Sequence, residues 1–528
     1  MLLQAETLPR RLHLPEGERA AMKYTGDLIA APFRKPHFLH QMKEFEAHAG
    51  TAARGLLWTM RTGKSKAVVD KACFLYTTGQ IDGVLVFAPN GVHANWIDRE
   101  LSLHAWPGIE CDALVWRSQV AGSKAVNKLA WGDVDAWAVA QAKWWDKLKD
   151  IRKSPNLFWL AINTESMTRD DVRRAVKRFV KHRKVMVVFD ESDDFGTPSS
   201  KRTHMARAVA RRASYRVILS GTSATGSPLA LWSQFELLAP GALGFAKYSD
   251  FEAHYAEYEL AKTRAGRQYK RLVRYVRLDD LQRRIAPYCS VVTRDEVKDM
   301  PDLVYEERPI DLSPEQRAVY KQLLRSFYIE LADGVQLSVG ERAQRLTKLQ
   351  QVCSGFVIDE NGVTHDIPGR NPRLEALLRE VLTCPGKVIV WCQFQRDIDK
   401  VTKLLCTSGI KAVGYHGRVS GVDKSNALSS FQNDAGTGAI VGHIQSGGRG
   451  LTMTAAHRII NYSHTFKARL RVQSEERATE IGGRNILVVD LVAPGPDRYI
   501  LDTTKNRRDI ADTLAGTGLR DLLNSVAL

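Results

Sequence analysis

The stretch LLWTMRTGKSKAVV, residues 56–69, decides the fold of this chain. Its apolar start predicts a buried strand, Gly63-Lys64-Ser65 predicts a turn, and the residues that follow predict a helix. A nucleotide phosphate needs backbone N–H donors at a helix N-terminus, a glycine that lets the backbone approach, a lysine for the terminal phosphates and a hydroxyl for Mg²⁺. Gly63, Lys64 and Ser65 supply the last three in that order. The stretch therefore predicts a phosphate-binding strand, loop and helix.

The first glycine of the pattern G-x-x-x-x-G-K-[ST] is missing, because Trp58 stands in its place. A GKS turn on an unrelated loop is the alternative. A second apolar run, residues 185–189, favours the phosphate site because it ends directly in Asp190 and Glu191. Ligands bind at the carboxyl ends of parallel strands, where Asp190 can hold the Mg²⁺ shell and Glu191 can polarise the attacking water. The other interpretation of this pair is a solvated acidic turn.

Length and composition indicate a multidomain globular protein. A chain of 528 residues is too long for one core, and its content of 44% apolar and 26% charged residues is ordinary. No stretch reaches the apolar length that crosses a bilayer, and the start, MLLQAETLPRRLHLPEG, lacks the apolar core of a signal peptide. We therefore expect a cytoplasmic protein. The seven cysteines indicate neither a zinc site nor a disulfide framework, and the net charge of +17 favours polyanionic partners.

Strands and helices alternate from residue 36 to about residue 240, which predicts a doubly wound parallel sheet. Residues 1–35 carry no clear periodicity and are expected to form an N-terminal extension. Gln41 lies in a predicted helix upstream of the phosphate loop, and its amide could hydrogen-bond an adenine edge in two directions. An exposed helical glutamine is the alternative. The predicted strands after the phosphate loop are residues 84–89, 157–163, 185–189 and 216–219.

The alternation stops after residue 240, and residues 241–366 are predicted to form a basic helical insertion and linker. Nine cationic residues fall between positions 262 and 284, opposed only by Asp279 and Asp280. This density favours contact with a nucleic-acid phosphate backbone over a plain charged surface. The residues that we assign to this contact are Lys262, Arg264, Arg267, Lys270, Arg271 and Arg274.

A second alternation, residues 367–492, predicts another parallel sheet, and residues 493–528 are expected to form a helical tail. This second region has no phosphate loop of its own. One nucleotide is therefore expected to serve both regions. The predicted strands are residues 387–392, 412–417, 438–443, 459–462 and 486–490.

Several blocks of sequence resemble the superfamily 2 ATPases and, among them, the Swi/Snf-like DNA translocases. MRTGKS is similar to motif I, VVFDESDDF to motif II, and LSGTSATGSPLALWSQF to the Swi/Snf signature LTGTP…ELWSL. RLTKLQQVCSGF is similar to the family's LRQICNHP helix, and the run from HIQSGGRGLT to RVQSEERATEIGG is similar to motifs V and VI. The resemblance covers about residues 36–490 and implies two tandem RecA-like domains with a helical Swi/Snf-type insertion between them. The compact chain is similar to stand-alone bacterial or phage members, which implies a bacterial or phage-infected cell.

The resemblance implies a role for each matching position. Gln41 would contact adenine, Asp190 and Glu191 would run hydrolysis, and Arg477 would be an arginine finger that contributes about three to five orders of magnitude in rate. Gly448 and Gly450 would lie at the nucleotide interface. The phosphates of ATP would be bound by Thr62, Gly63, Lys64 and Ser65, and Mg²⁺ by Ser65 and Asp190.

Three positions depart from the family pattern. Glu480 stands where the family has a second arginine, so either Arg477 works alone or a neighbour such as Arg484 substitutes. Asp193 stands where motif II has histidine, and Thr59 replaces an acidic residue ahead of the phosphate loop.

We therefore expect an ATP- and Mg²⁺-dependent motor on double-stranded or branched DNA that is largely independent of sequence, because phosphate contacts carry little sequence information. Fork remodelling, branch migration and protein clearance are the tasks that fit such a motor. Two alternatives stay open. One is a strand-separating helicase on DNA or RNA, and the other is a degenerate, ATP-gated DNA-binding module whose motor has decayed.

Overall fold

The described part of the chain forms two compact units in this computed structural model. The first unit comprises the described residues up to Tyr258 together with Leu272–Glu296, and the second comprises Glu259–Arg271 and the described residues from Val297 onward. The residues that the structure describes are 33–90, 92–116, 146, 148–221, 227–262, 268–294, 296–297, 299–332, 339–419, 421–447 and 452–505.

The first unit is built on parallel strands. The strands before residue 297 are β1 (Ala53–Trp58), β2 (Gly83–Ala88), β3 (Cys111–Val115), β4 (Leu157–Asn163), β5 (Val185–Phe189), β6 (Tyr215–Ser220), the hairpin strands β7 (Ala256–Lys262) and β8 (Gln268–Tyr275), and β9 (Cys289–Val292). Of the hairpin, Glu259–Arg271 belong to the second unit. Seven of these strands form one sheet in the order β3-β4-β2-β5-β6-β1-β9, with every pairing parallel. Every residue of β2, β4 and β5 is buried, which is why these strands read as continuous apolar runs.

Helices connect these strands. They are α1 (Leu39–His48), α2 (Lys64–Thr77), α3 (Asp170–His182), α4 (Lys201–Ala210), α5 (Ala230–Leu238), α6 (Tyr248–Tyr255) and α7 (Leu278–Ile285), with short helical turns at His93–Asn95, Trp96–Leu101, Ser102–His104, Asp150–Arg152, Thr164–Ser166 and Ser192–Phe195. Lys71 of α2 donates to the carbonyls of His48, Ala49 and Thr51, at 2.7, 2.9 and 2.8 Å. This buried ammonium stabilises the C-terminal end of α1, the helix that carries Gln41.

The second unit contains a six-stranded sheet. The strands of this sheet are β10 (Leu303–Pro309), β13 (Lys387–Cys392), β14 (Lys411–Tyr415), β15 (Thr437–His443), β16 (Ala456–Asn461) and β17 (Ile486–Val492). A separate short pair is formed by β11 (Phe356–Ile358) and β12 (Thr364–Asp366). The sheet order is β10-β17-β16-β13-β15-β14, with every pairing parallel. Val388 and Val390 belong to one buried cluster, whereas Ile389 and Trp391 belong to another, so the two faces of β13 pack against separate cores.

The helices of the second unit are α8 (Pro314–Ala332), α9 (Val339–Cys353), α10 (Pro372–Leu382), α11 (Gln395–Thr407), α12 (Gly421–Asn433), α13 (Ala468–Glu475) and α14 (Pro496–Lys505), with a short turn at Ile444–Gly447. Proline at the first position of α10 follows Asn371, whose side chain accepts hydrogen bonds from the backbone of Arg373 and Leu374. Among the described helices, none has both the length and the apolar character that crossing a bilayer requires.

The predicted fold class is confirmed, because both sheets are parallel and alternate with helices. The prediction of a helical insertion is wrong in part. Residues 241–366 do contain helices, but they also contain the β7–β8 hairpin and two strands that join the sheets. Strand β9 pairs with β1, and β10 pairs with β17, so this segment contributes to both units.

Candidate active site

The predicted phosphate loop lies between β1 and α2. Strand β1 ends at Trp58, and Gly63 precedes the helix with a positive φ of 78°, a conformation that glycine adopts at little cost. A Cβ at this position would lie 2.0 Å from Nε2 of Gln41. Glycine is therefore required twice over, for the backbone turn and for the space that Gln41 fills.

Gln41 holds the phosphate loop in place. Its Nε2 donates to the carbonyls of Thr62 and Gly63, at 3.2 and 3.1 Å, and its Oε1 accepts from the backbone of Phe38 at 2.9 Å. His40 contributes a second contact, from its Nε2 to the Thr62 carbonyl at 2.8 Å. Gln41 is only 1% exposed, which excludes the exposed helical glutamine considered above. Both amide hydrogens are used within the protein, and the predicted adenine contact stays a prediction.

Replacing Gln41 with alanine separates these two roles. If the amide acts only by holding the loop, the variant should weaken ATP and GTP binding by the same factor, about 5- to 30-fold for the loss of 1–2 kcal/mol. If it also recognises adenine, selectivity for ATP over GTP should fall. Competition between the two nucleotides for a fluorescent ATP analogue measures both effects.

Lys64 and Ser65 begin α2 at the end of the loop. Nζ of Lys64 donates to the carbonyls of Trp58 and Thr59, at 2.8 and 3.2 Å, so the ammonium lies at the carboxyl end of β1. The Ser65 hydroxyl is hydrogen-bonded to the Glu100 carboxyl, whose pKa is raised by burial. Thr62 is buried, and its hydroxyl donates to the Thr59 carbonyl, so a phosphate contact from Thr62 would have to use its backbone.

Asp190 and Glu191 follow β5 at the same edge of the sheet. Oδ2 of Asp190 accepts from Nε1 of Trp96 at 3.0 Å, and Oδ1 accepts from the backbone of Glu191 at 3.0 Å. Burial and the neighbouring Glu191 carboxylate raise the pKa of Asp190 to about 6, although Trp96 and the Lys64 ammonium act in the opposite direction. Glu191 has a φ of 51°, which is strained for a residue with a side chain. Holding the two carboxyl groups in this position therefore costs folding free energy, and a bound cation would reduce that cost.

The ionised Asp190 carboxylate is expected to lower the free energy of unfolding, and this effect can be measured. A folded pKa near 6, against an ordinary value of 3.8, means that stability falls as the pH rises through this interval and stays lowered above it. We expect Asp190→Asn to raise the free energy of unfolding at pH 7.5 by about 1–3 kcal/mol and to abolish Mg²⁺-dependent ATP hydrolysis. Urea unfolding at pH 7.5 and pH 4 tests this, because the gain should vanish at the lower pH. An equal gain at both values would contradict the assigned cause.

Strand β6 pairs with both β1, which leads into the phosphate loop, and β5, which leads into Asp190. It therefore ends between these two parts of the site. Oγ of Ser220, its last residue, donates to Oδ2 of Asp193 at 3.1 Å, and Nε2 of Gln234 donates to Oδ1 of Asp193 at 3.2 Å. A Cβ on Gly221 would lie 2.7 Å from Cγ of Met60 and 3.7 Å from Nζ of Lys64. The ends of β1, β5 and β6 thus form one contiguous polar site.

This site fits a single Mg²⁺ ion bound together with a nucleotide. Among the described residues, no group of three or more His, Cys, Asp or Glu side chains converges on a metal position. Mg²⁺ does not require one, because it keeps several waters and binds through one or two carboxylates and the substrate phosphates. The Asp190 carboxylate and the Ser65 hydroxyl are the residues that would hold it.

Arg477 lies in the second unit, after α13. Its side chain is 7% exposed, and its carbonyl accepts from the backbone of Met453 at 2.9 Å. Its guanidinium lies close enough to Tyr415, the last residue of β14, to oppose the rise that burial causes in the tyrosine pKa. Arg477 is therefore near the carboxyl edge of the second sheet. Glu480 is exposed.

Arg484 lies elsewhere. Its Nη1 contacts Nε2 of His457, the second residue of β16, so its guanidinium is at the amino edge of the same sheet. Active sites of parallel sheets lie at the carboxyl edge. The position of Arg484 thus disfavours its substitution for the missing second arginine. Gly448 and Gly450 lie outside the described residues.

Four of the six basic residues assigned to nucleic acid, Lys262, Lys270, Arg271 and Arg274, fall on strands β7 and β8 rather than on a helix. Lys270 and Arg274 are exposed, and Nε of Arg274 donates to Oε2 of Glu257 at 2.7 Å. The contact with nucleic acid stays a prediction. Of the other assigned residues, Lys262 and Arg271 are described only through their backbone, and Arg264 and Arg267 lie outside the described residues.

Trp96 and Gln234 form hydrogen bonds with residues of the site, and neither was predicted from the sequence. Trp96, which donates to Asp190, gives no signal, because a single tryptophan in a helical pattern usually indicates core. Gln234 does give one, because it stands between Trp232 and Phe235 on an apolar helix, where a buried amide needs a polar partner. It finds that partner in Ser192 and Asp193 of motif II, at 2.7 and 3.2 Å.

Curated relatives match more than half of the chain. The human TATA-binding protein-associated factor 172 is 25% identical over 369 residues, which cover 59% of this chain and 20% of that protein. An uncharacterized ATP-dependent helicase of Mycoplasma pneumoniae is 24% identical over 320 residues, which cover 60% of this chain and 29% of that protein. The Zorya protein ZorD of Escherichia coli is 25% identical over 311 residues, which cover 56% and 28%. The chain thus spans less than a third of the length of these relatives.

A solved structure and two family models also match the chain. The Sulfolobus solfataricus SWI2/SNF2 ATPase core in complex with dsDNA aligns over 94% of this chain and 98% of that chain, with a TM-score of 0.39 and 20% identity. The helicase conserved C-terminal domain matches residues 372–482. The SNF2-related domain matches residues 37–356, more than half of the 528 residues. The chain therefore belongs to the SNF2-related ATPases of helicase superfamily 2.

Proposed function

We propose that the chain is an ATP-driven motor that moves along double-stranded or branched DNA without reading its sequence. The observation that carries the proposal is the meeting of the Lys64 loop, the Asp190-Glu191 pair and the Ser220-Gly221 turn at the ends of three neighbouring strands. The chain belongs to the SNF2-related ATPases, so the reaction proposed for this site is ATP hydrolysis. Fork remodelling, branch migration and protein clearance are the tasks that such a motor would perform.

Each residue of the site has a role in hydrolysis. Lys64 binds the terminal phosphates, and the backbone N–H groups at the start of α2 bind the phosphate oxygens. Ser65 and Asp190 hold Mg²⁺, which neutralises phosphate charge when bound. Glu191, whose carboxylate lies close enough to raise the pKa of Asp190, polarises the attacking water. Arg477 stabilises the charge that develops in the transition state.

DNA is the partner that the charge and the family support. The formal net charge of +17 attracts a polyanion, and phosphate contacts give affinity without sequence preference. Lys270 and Arg274 present exposed cations on the hairpin. Gly448 and Gly450 are assigned to the nucleotide interface through the family motif alone.

ATP turnover measured without nucleic acid and with single-stranded, duplex and branched DNA tests the proposal. We expect duplex and branched DNA to raise turnover by about tenfold or more, and the protein to displace a triplex-forming strand in an ATP-dependent manner. Stimulation by RNA alone would favour the RNA helicase. Nucleotide binding without any DNA-stimulated turnover would favour the degenerate binding module.

A further inference from the structure

A π-helical turn, Trp96–Leu101, contacts both residues that would hold Mg²⁺. Nε1 of Trp96 donates to Oδ2 of Asp190 at 3.0 Å. Four positions later, the carboxyl group of Glu100 accepts a hydrogen bond from the Ser65 hydroxyl. Ser65 lies at the start of α2 and Asp190 follows β5, so this one turn reaches two segments that are far apart in the chain.

The turn has little freedom to move. It follows β2, which pairs with β5, the strand that directly precedes Asp190. Trp96 and Leu101, its first and last residues, are 1% and 7% exposed, so both ends of the turn are anchored in the interior. Turns of the π type are rare and occur often at functional sites. Side chains on this turn can therefore fix the orientation of the groups that they contact.

Glu100 determines which part of the Ser65 hydroxyl faces a cation. A serine hydroxyl has one hydrogen, which it donates, and two lone pairs, which accept. A metal ion binds an oxygen through a lone pair, so the hydrogen has to be donated to another group. Glu100 is that acceptor. The contact therefore turns the hydrogen of Ser65 toward Glu100 and leaves the lone pairs of Oγ for Mg²⁺.

Trp96 acts in a corresponding way on Asp190. Oδ1 of Asp190 accepts from the backbone of Glu191, and Oδ2 accepts from Trp96, at 3.0 Å in both cases. These two bonds fix the plane of the carboxylate. A carboxylate has about four lone-pair sites, so others stay available to Mg²⁺ and its waters. An indole N–H only donates, so Trp96 orients the carboxylate without competing for the cation.

We propose that Trp96 and Glu100 are positioning residues that orient the two Mg²⁺ ligands, Asp190 and Ser65, from a single turn. The inference rests on the proposed function, in which these two ligands bind Mg²⁺ together with the nucleotide. Residues that hold metal ligands by hydrogen bonds typically contribute about 10- to 100-fold to metal affinity. Because Trp96 and Glu100 share one turn, both ligands are set relative to each other.

The test measures how much Mg²⁺ tightens nucleotide binding. The affinity for a fluorescent, non-hydrolysable ATP analogue is determined with excess Mg²⁺ and in EDTA, and the ratio of the two is the Mg²⁺ enhancement. Glu100→Leu removes the acceptor, whereas Glu100→Gln keeps an acceptor oxygen without the charge. Trp96→Phe removes the N–H group but keeps an aromatic ring. Asp98→Leu is the control, since it removes an exposed carboxylate from the same turn.

Glu100→Leu and Trp96→Phe should lower the enhancement by about 10- to 100-fold, with the affinity in EDTA within about twofold of wild type. Glu100→Gln and Asp98→Leu should keep the enhancement within about threefold. Leucine and glutamine are both uncharged, so their difference isolates the hydrogen bond to Ser65. The double variant Ser65→Ala/Glu100→Leu should show the same enhancement as Ser65→Ala, because Glu100 acts through the hydroxyl.

Three results would overturn the positioning role. The first is an unchanged enhancement in Glu100→Leu and Trp96→Phe while Ser65→Ala loses it, which leaves the Mg²⁺ site standing. The second is an equal loss of affinity with Mg²⁺ and in EDTA, which would assign the turn to the stability of the loop. The third is a larger enhancement in Glu100→Leu, which would show that Glu100 withholds Ser65 from the cation.

The behaviour of wild type separates this inference from the proposed function. Absence of any Mg²⁺ enhancement in wild type would remove the proposed ligands and the positioning role together. Enhancement in wild type without DNA-stimulated ATP turnover would remove the motor alone, and the comparison of Glu100→Leu with Glu100→Gln would still support or overturn the positioning role.

Discussion

Lys64→Ala is expected to lower DNA-stimulated ATP hydrolysis by about two to three orders of magnitude or more, the loss typical of removing one preorganised charge from a reaction centre. In the structure, Nζ of Lys64 donates to two carbonyls at the end of β1, and it lies close enough to Asp190 to oppose the rise of that carboxyl's pKa. The variant therefore loses the proposed phosphate ligand. It should also raise the pKa of Asp190 further, so that residual activity needs a higher pH.

The fold should survive this substitution, because alanine is a strong helix former at the start of α2. Lys177→Ala is the matched control, since it removes an exposed lysine from α3. Steady-state turnover with duplex DNA from pH 6 to pH 9, together with a thermal unfolding curve for each protein, gives the comparison. Turnover of Lys64→Ala equal to that of wild type would refute the assignment of the phosphate site.

The buried strands could be predicted from sequence because both of their faces are covered. Strands β4, β5 and β13 coincide with their predicted ranges, since each is a continuous apolar run bounded by polar residues. A strand that is buried on both faces needs apolar side chains at nearly every position, so it is recognised as a continuous apolar run. The position of the phosphate loop and of the acidic pair follows from the same strands, because each motif directly succeeds one of them.

The hairpin and β10 could not be predicted in the same way. β10 reads LVYEERP and is mostly exposed or half-buried, so it lacks the apolar run that marks a central strand. Cationic residues in the hairpin fall at spacings of three and four, which imitate a helix. The signal against a helix was the alternation of Tyr258 with Leu260, and of Val273 with Tyr275, on either side of Gly266. The many cationic residues in this segment made the alternation of its apolar residues hard to recognise.

The partners of the site residues depend on packing between distant segments. Gln41 and the phosphate loop are 21 and 22 positions apart, and Trp96 and Asp190 are 94 apart. Only the sheet order brings such segments together. The residue types of the site were therefore predictable from their motifs, whereas the hydrogen bonds that fix their orientation were not. The roles of these residues in catalysis stay predictions until nucleotide turnover is measured.

Arg477 and Arg484 form a natural pair for testing which cation completes hydrolysis. Both belong to the motif VI region, and Glu480 stands between them where the family has a second arginine. Arg477 lies beside Tyr415 at the carboxyl edge of the second sheet, and Arg484 contacts His457 at the amino edge. Only the first position matches the edge at which parallel sheets bind ligands.

We therefore expect Arg477→Ala to lower ATP turnover by about three to five orders of magnitude while ATP binding changes much less, because an arginine finger acts on charge that appears only in the transition state. Arg484→Ala should stay within about threefold of wild type, as expected for a surface contact with a histidine. Arg477→Lys adds a check, since a lysine retains the charge but not the planar fork and should restore only part of the rate. Single-turnover hydrolysis and binding of a fluorescent ATP analogue separate the two steps. A large loss of turnover in Arg484→Ala, with none in Arg477→Ala, would contradict the assignment of Arg477 and move the finger to Arg484.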